Sequence, residues 1–317
     1  MDAVPESGPG ARLVTITDGQ AGQRIDNFLT RHLKGVPRSL IYRILRKGEV
    51  RVNKGRIRPD YRLQVGDQVR VPPVRTASAE QRRIPDGVVQ RLADALLYED
   101  AAVLALDKPA GLAVHGGSGL AFGIIEALRQ ARPELAFLEL AHRLDRDTSG
   151  CLLLAKSRPV LLALQDQSRT GQMDKRYLAL AAGAWPAGLS RVSAPLRKNS
   201  LAGGERMVVV AKDGRAAVTG FRVLQRFAAA TLVEARLETG RTHQIRVHAA
   251  HAGHPLAGDG KYGDADLNRR LRKLGLTRLF LHAQALGFRH PDSGEEMLLS
   301  TPLPRELQAV LDRLESA

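Results

Sequence analysis

The second half of the chain is a succession of apolar, strand-like segments that only a few helical segments interrupt. The segments are RYLALAAGAW, RMVVVA, AVTGFRVLQRF and ATLVEARLETG, and LFLHAQALGF follows later. Short runs rich in β-branched residues and bounded by turn residues are typical of strands. They lack the regular strand–helix alternation of a parallel sheet. The pattern therefore predicts an α+β fold on a mixed, largely antiparallel sheet.

Positive charge is concentrated near the N-terminus. Between Arg24 and Arg75 there are 14 Lys or Arg and 4 Asp or Glu, whereas the 317-residue chain carries 48 and 33. Two thirds of the net charge of +15 thus lies in one sixth of the chain. A device for general solubility would spread this charge, so the pattern indicates a dedicated module that binds a polyanion.

The pattern of apolar residues divides the chain into domains. We expect a flexible tail over residues 1–22, a small domain over 23–73, a polar, proline-marked linker over 74–87 and a larger domain over 88–317. The small domain reads as two helices, the second capped by Ser39, followed by the short strands VRVNK and QVRVP. A pair of basic helices lying on a membrane is the alternative, but their apolar residues are needed for the small core.

One loop carries the densest chemistry. In AHRLDRDTSGCLLLAKS, residues 141–157, four alternating charges lead through a glycine into an apolar strand. Such a loop holds a carboxylate at the rim of a sheet, and Asp145 is the candidate. A solvated turn in which polar side chains merely cap the chain is the alternative.

Several other classes of site are disfavoured. The single cysteine, Cys151, excludes an internal disulfide framework and a cysteine-based zinc site, and we interpret it as a small buried residue. The four histidines between His243 and His254 lack an HExxH pattern, so we expect no metal. The loop HGGSG lacks the Gly-Lys-Ser/Thr of a nucleotide-binding loop and is interpreted as a turn or a phosphate contact. No apolar run reaches the ~20 residues of a membrane span, and the start of the chain lacks an export signal.

Three motifs carry a family resemblance. HRLDRDTSG, KRYLAL and GRTHQIRVH resemble the motifs of the RluA-type pseudouridine synthases, and the segment RILRKGEVRVNKGRIRP resembles their small RNA-binding domain of the S4 type. The resemblance implies a mixed sheet with the active site in a central cleft. It also implies RNA contacts from a set of basic residues: Arg38, Arg43, Arg46, Lys47, Arg51 and Lys54.

The same resemblance implies roles for four residues. Asp145 would be the catalytic carboxylate, acting as a nucleophile or as a base at the ribose C2′. Arg246 would pair with Asp145, its alternative being a phosphate contact. Tyr177 would lie against the target base, although by sequence alone it is an ordinary strand aromatic. Arg143 would fill the gap that the base leaves in the RNA, its alternative being a salt bridge to Asp147.

The implied activity is isomerisation of specific uridines in large-subunit (23S) ribosomal RNA to pseudouridine, without metal or organic cofactor. The implied partner is 23S rRNA or an assembling large subunit, and we expect a cytoplasmic monomer that binds no membrane and no nucleotide cofactor. Two alternatives belong to other classes: a non-catalytic RNA-binding or assembly protein, and a metal-dependent RNA hydrolase, for which we find no set of ligands.

Overall fold

The chain forms two compact units, residues 1–83 and 84–317. The computed structural model describes residues 10–33, 36, 38–74, 84–116, 122–200 and 206–315. The side chains of Arg38 and Ser39 lie outside its description, and with them the predicted cap of the second helix. No helix in the described ranges is long and apolar enough to cross a membrane.

The small unit packs two helices on a three-stranded antiparallel sheet with the strand order β1-β3-β2. The first helix buries Ile25, Phe28 and Leu29, and the second buries Ile41 and Ile44. These apolar residues form the small core for which the sequence required them. Its elements are β1 (Arg12–Thr15), α1 (Ile25–His32), α2 (Arg38–Arg46), β2 (Arg51–Val52) and β3 (Gln68–Val71).

The prediction of a flexible tail over residues 1–22 was wrong for its second half. Arg12–Thr15 forms strand β1, which pairs with β3 along its whole length. The predicted linker over 74–87 also extends too far, because Ile84 is buried in the core of the large unit and helix α3 begins at Asp86. Residues 75–83, the rest of that linker, lie outside the described ranges.

The large unit is built on one ten-stranded sheet. Its elements are α3 (Asp86–Ala93), β4 (Leu96–Glu99), β5 (Val103–Lys108), α4 (Ile124–Ala131), β6 (Glu139–Leu140), β7 (Ser149–Ala155), α5 (Arg158–Arg169), β8 (Asp174–Ala182), β9 (Arg191–Ser193), β10 (Leu196–Ser200), β11 (Arg206–Val210), β12 (Val218–Arg226), β13 (Ala230–Leu237), α6 (Gln244–His251), α7 (Ala265–Lys273), β14 (Leu281–Arg289), β15 (Glu296–Ser300) and α8 (Arg305–Glu315).

The strand order of the main sheet is β4-β5-β7-β14-β8-β13-β12-β9, with β15 paired to β14 and β6 paired to β7. Among these described strands only β7 and β14 run parallel; the other pairs are antiparallel. Strands β10 and β11 form a separate antiparallel pair. The predicted α+β class with a mixed, largely antiparallel sheet is confirmed.

Strand β7 connects the loop at residues 141–148 to the centre of this sheet. All seven of its residues are buried, in keeping with the continuous apolar run that the sequence shows there. Gly150 has φ +109°, and a Cβ at this position would lie 2.2 Å from the carbonyl oxygen of Ala283 in β14. Only glycine permits this close approach of the two backbones, so the glycine that ends the polar motif fixes where the loop enters the sheet.

Candidate active site

The predicted cleft corresponds to a cavity of about 210 Å³ in the large unit. Three stretches of chain supply most of its wall: the loop at residues 141–148, strand β8, and the segment from Leu237 to Arg246. Asp145 and Arg143 of this loop, Tyr177 and Arg246 all line it, although they come from three distant parts of the sequence. The structure therefore brings together the four residues that the sequence singled out in this domain.

Lys108 stabilises the loop that carries Asp145 by hydrogen bonding to its backbone. This lysine is fully buried, and its Nζ donates hydrogen bonds to the carbonyl oxygens of Pro109 at 2.9 Å and Arg146 at 3.0 Å. The amide of Gly111 donates to the same Arg146 oxygen at 2.9 Å. Burial lowers the pKa of Lys108 to about 7, against the opposing charges of Asp147 and Asp145. The amine thus fixes the backbone next to Asp145.

Arg246 joins two carboxylates. Its Nε and Nη2 bind the two oxygens of Asp259 at 2.7 and 2.8 Å, and its Nη1 lies 3.4 Å from Oδ2 of Asp145. Asp259 is only 1% exposed, and the backbone amides of Lys261 and Tyr262 also donate to it. Arg246 therefore contacts Asp145, as expected, but makes its bidentate pair with Asp259.

The charges of this trio support one another. Burial works against the charge of Arg246, but the hydrogen bonds and charges of Asp259 and Asp145 raise its pKa above the ordinary value. Burial likewise works against the charge of Asp259, yet Arg246 and the two backbone amides keep its pKa below the ordinary value. Asp145 differs from Asp259 in that its side chain is 18% exposed towards the cavity. Asp259 is thus the anchoring carboxylate and Asp145 the accessible one.

Tyr177 lies on β8 and presents a buried side chain to the same cavity. Burial, followed by the negative charge of Asp145, raises its pKa above the ordinary value. The hydroxyl therefore keeps its proton at neutral pH and can donate it in a hydrogen bond, while the ring offers a flat apolar face.

His243 lines the cavity beside Asp145, and Tyr262 supports it. The hydroxyl of Tyr262 accepts a hydrogen bond from the amide of Val208 at 2.9 Å, so its own proton is available for Nδ1 of His243 at 2.8 Å. This arrangement places the imidazole proton on Nε2, which lies 3.9 Å from Oδ2 of Asp145. Burial lowers the pKa of His243, so the ring is neutral at pH 7.

Arg143 is exposed at the mouth of the cavity. The alternative role considered for it, a salt bridge to Asp147, is not what the structure shows. The carboxylate of Asp147 pairs with Arg146, whose Nε lies 3.1 Å away. Arg143 is positioned to meet whatever approaches the cavity from solvent.

The histidine considered as a metal ligand at position 248 and the single cysteine both have structural roles. Both ring nitrogens of His248 are occupied, by Thr219 Oγ1 and by the carbonyl oxygen of Ala194, each at 2.9 Å. Within the described ranges no three His, Cys, Asp or Glu side chains are grouped so that they could hold a metal ion. Burial raises the pKa of Cys151 to about 12, as suits an inert core thiol.

The glycine loop HGGSG is described only in part. Residues 117–120 lie outside the described ranges. The amides of Gly116 and Gly123 both donate to Oε2 of Glu126, at 3.0 and 2.8 Å, at the start of helix α4. Gly116, the one glycine of the motif that the structure describes, therefore has its amide satisfied within the protein.

The basic residues predicted to contact RNA lie on the small unit. Arg43 and Arg46 are exposed on helix α2 and Lys47 is exposed in the turn that follows it, whereas Arg51 and Lys54 are exposed on and beside strand β2. The side chain of Arg38 is outside the described part of the chain. The polar face of α2 and the adjoining turn thus carry a continuous set of long cationic side chains, opposite the apolar face that fills the small core.

Sequence reasoning missed two contributors to the site. They are Lys108, which ends strand β5, and Asp259, and neither was among the candidate site residues. The signal for Asp259 was present in the turn-rich segment AGHPLAGDGKYGD, in which one acid stands among glycines. Its partner Arg246 lies 13 residues earlier, so no local pattern could connect the two.

Comparison with known proteins accounts for both units. A family profile described as RNA pseudouridylate synthase matches residues 102–251, and one described as S4 domain matches residues 23–69. Ribosomal large subunit pseudouridine synthase C of Escherichia coli (strain K12) is 55% identical over 313 residues, which are 98% of each chain. The protein of the same name from Yersinia pestis is 55% identical over 305 residues, or 96% of this chain and 95% of the other.

A solved structure agrees with this. The human protein RNA Pseudouridylate Synthase Domain Containing 4 superposes with a TM-score of 0.61 at 29% identity, over 73% of this chain and 96% of that one. The chain therefore belongs to the RluA-type RNA pseudouridine synthase family, with an S4 domain at its N-terminal end.

Proposed function

We propose that this protein isomerises specific uridines of 23S ribosomal RNA to pseudouridine, with Asp145 as the catalytic carboxylate. The observation that carries the proposal is that Asp145, Arg246 and Tyr177 line one cavity, with Asp259 anchoring Arg246. The similarity to synthases that are named for the large ribosomal subunit supports the choice of RNA.

The chemistry needs few groups. Uracil leaves C1′ of the ribose, turns, and rejoins C1′ through C5, so that C5 loses its hydrogen and N1 gains one. No electrons are exchanged with another molecule and no external group is transferred, so the proposal includes neither metal nor organic cofactor. A carboxylate, a pocket that excludes water and a means of exposing the base are sufficient.

Each residue at the cavity has a part in this scheme. Asp145 reacts at the sugar or the base as a nucleophile, or removes the proton at C2′; both remain within the proposal. Arg246 contacts Asp145 and aims it, because its guanidinium is itself fixed by Asp259. Tyr177 stacks on the uracil, and Arg143 at the mouth fills the gap that the flipped base leaves.

The small unit is the proposed RNA handle. Its exposed basic set contributes sequence-independent affinity for the phosphate backbone. The partner is 23S rRNA or an assembling large subunit, and we place the protein in the cytoplasm as a monomer.

The test of the reaction uses RNA labelled with tritium at uridine C5. Wild-type protein should release the label to water in the presence of EDTA, and Asp145→Asn should release none while retaining its fold and its RNA affinity. A strict requirement for a divalent metal, once RNA folding is controlled for, would favour the metal-dependent hydrolase. Normal release by Asp145→Asn would leave a protein whose chemistry lies elsewhere.

The test of the handle keeps the full chain. Replacing Arg43, Arg46 and Lys47 by glutamine should weaken RNA binding and reduce the slope of log affinity against log salt by up to about 0.9 for each phosphate that is no longer neutralised. A control in which the same number of charges is removed, at the exposed Arg169, Arg191 and Arg305, should leave the slope nearly unchanged. Equal slopes in the two variants would show that helix α2 does not contact the RNA.

A further inference from the structure

Besides its arginines, the wall of the cavity contains a lysine, and the scheme proposed for the other residues leaves this lysine without a role. Lys175 precedes Tyr177 by two residues on strand β8, so the two side chains project from the same face of the sheet. Both residues line the cavity, and Lys175 is only 8% exposed. Its position is about 7 Å along the strand from Tyr177, by the usual rise of a strand.

The surroundings of its amine place the charge at the cavity surface. Nζ donates a hydrogen bond to Oγ of Ser168 at 2.6 Å, and a Cβ added at Gly240 would lie 4.0 Å from Nζ. Ser168 and Gly240 both line the cavity. An ammonium has three donors, and in the described part of the chain the hydroxyl of Ser168 accepts one of them.

Two other lysines of this unit with little exposure, Lys108 and Lys156, bond carbonyl or carboxylate oxygens, whereas the partner of Lys175 is a hydroxyl. Lys108 bonds two backbone carbonyls, and Lys156 pairs with the carboxylate of Glu99 at 2.8 Å. Burial lowers the pKa of Lys175. Its charge is therefore less stable here than in water. A polar ligand that enters the cavity would replace the water that burial takes from the ammonium.

We propose that Lys175 binds the carbonyl edge of the target uracil and stabilises the negative charge that this ring acquires during the reaction. This inference rests on the proposed function. When the bond from C1′ to N1 breaks, its electron pair stays on the uracil and spreads to the carbonyl oxygens. The bond from C1′ to C5 then forms from that ring, the C5 proton leaves, and N1 takes up a proton. Lys175 keeps its own protons throughout.

The position of Lys175 favours the base over a phosphate as its ligand. Arg143 and Arg241 are exposed at the mouth of the cavity, where a solvated RNA backbone would pass. Lys175 is buried two residues from Tyr177 on the same face of β8, and the ring of Tyr177 is proposed to stack on the uracil. A base stacked on Tyr177 would therefore lie next to Lys175 in this wall of the cavity. The planar ring is the part of a flipped nucleotide that enters deepest.

The test is Lys175→Met, which keeps the length of the side chain and removes the charge. Tritium release from C5-labelled RNA is measured in a single turnover at saturating enzyme, and RNA affinity is measured over a range of salt. Loss of one donor to a developing anion typically slows the chemical step about 100-fold, and we expect that loss with unchanged affinity and salt slope. Lys156→Met is the matched control: it should lower the melting temperature and leave the saturated rate unchanged.

Two results would overturn the proposal. One is a saturated rate within about threefold of wild type, well short of the loss that a removed donor causes. The other is a normal saturated rate with a salt slope smaller by about one phosphate contact, which would make Lys175 a phosphate ligand. Absence of release by wild type itself would refute the proposed function, which keeps the two failures distinct.

The proposal stays testable if the methionine variant does not fold. Lys175→Gln, which retains a donor without the charge, then takes its place. If that variant also fails to fold, wild type is assayed on RNA with 2-thiouridine or 4-thiouridine at the target. Sulfur accepts hydrogen bonds weakly, so one of the two should react more slowly than uridine, and full activity on both would contradict the contact.

Discussion

Replacing Asp259 by asparagine should destabilise the protein more than replacing Asp145, although only the second change removes the reactive group. Breaking a buried ion pair by removing one partner costs about 3–5 kcal/mol. Asparagine keeps one acceptor and Asp145 still faces Arg246, so we expect about 2–4 kcal/mol for Asp259→Asn. Asp145 makes one contact of 3.4 Å to Arg246 from a partly exposed position, and such a pair contributes about 1 kcal/mol or less.

Activity should follow a different order. Asp145→Asn should abolish tritium release. Asp259→Asn should slow it about 100-fold, because a guanidinium freed from its anchor misplaces Asp145 by an ångström or so. Urea denaturation and single-turnover release on the same preparations give both quantities. If Asp145→Asn proves as destabilising as Asp259→Asn, then Asp259 is not the carboxylate that anchors Arg246.

The pH dependence of stability provides an independent check. The pKa of Asp259 is depressed below its ordinary 3.8 in the folded protein. Its contribution to stability is therefore fully present above pH 3.8 and is lost as the pH falls through the depressed value. The difference in unfolding free energy between wild type and Asp259→Asn should shrink over that acid range. A constant difference would show that the carboxylate does not owe its effect to its charge.

Three further expectations concern other parts of the large unit. Gly150→Ala should lower the free energy of unfolding by more than about 3 kcal/mol, because φ is +109° and the new Cβ would lie 2.2 Å from a carbonyl oxygen of β14. Gly171→Ala, where φ is +76° but the space is open, should lower it by only about 1–2 kcal/mol, and urea denaturation measures both. Hydrogen bonds from Arg132 and, to a smaller extent, from Lys156 lower the pKa of Glu99 from 4.5 to about 2. Wild type should therefore lose this stabilisation as the pH falls from 4.5 towards 2, whereas Glu99→Gln should not, and acid titration of the unfolding free energy would show the difference. Arg246→Lys should slow single-turnover release about 100-fold, because one ammonium cannot reproduce a fork on one aspartate and a third contact to another.

Sequence was most informative where structure is determined locally. Helix α5 spans Arg158–Arg169, and both of its ends have local signals: Ser157 caps its start, and Gly171 follows its last turn. The strands of the second half also lie where their apolar runs indicated. Strand β1 was missed because its four residues are mostly exposed and have little pattern of their own. Its stability comes from pairing with β3, more than fifty residues away in sequence, and no local signal records such a partner.

The division of labour between the two aspartates shows why the site could be predicted only in part. The motif around Asp145 identifies a reactive carboxylate. A buried arginine needs a carboxylate to offset the cost of burying its charge, and a carboxylate used in this way is not free to react. The structure resolves this by giving Arg246 a second, fully buried partner in Asp259. The ion pair that satisfies the arginine is then separate from the carboxylate that faces the substrate. Asp145 can change its bonding during the reaction while the cation that guides it stays in place.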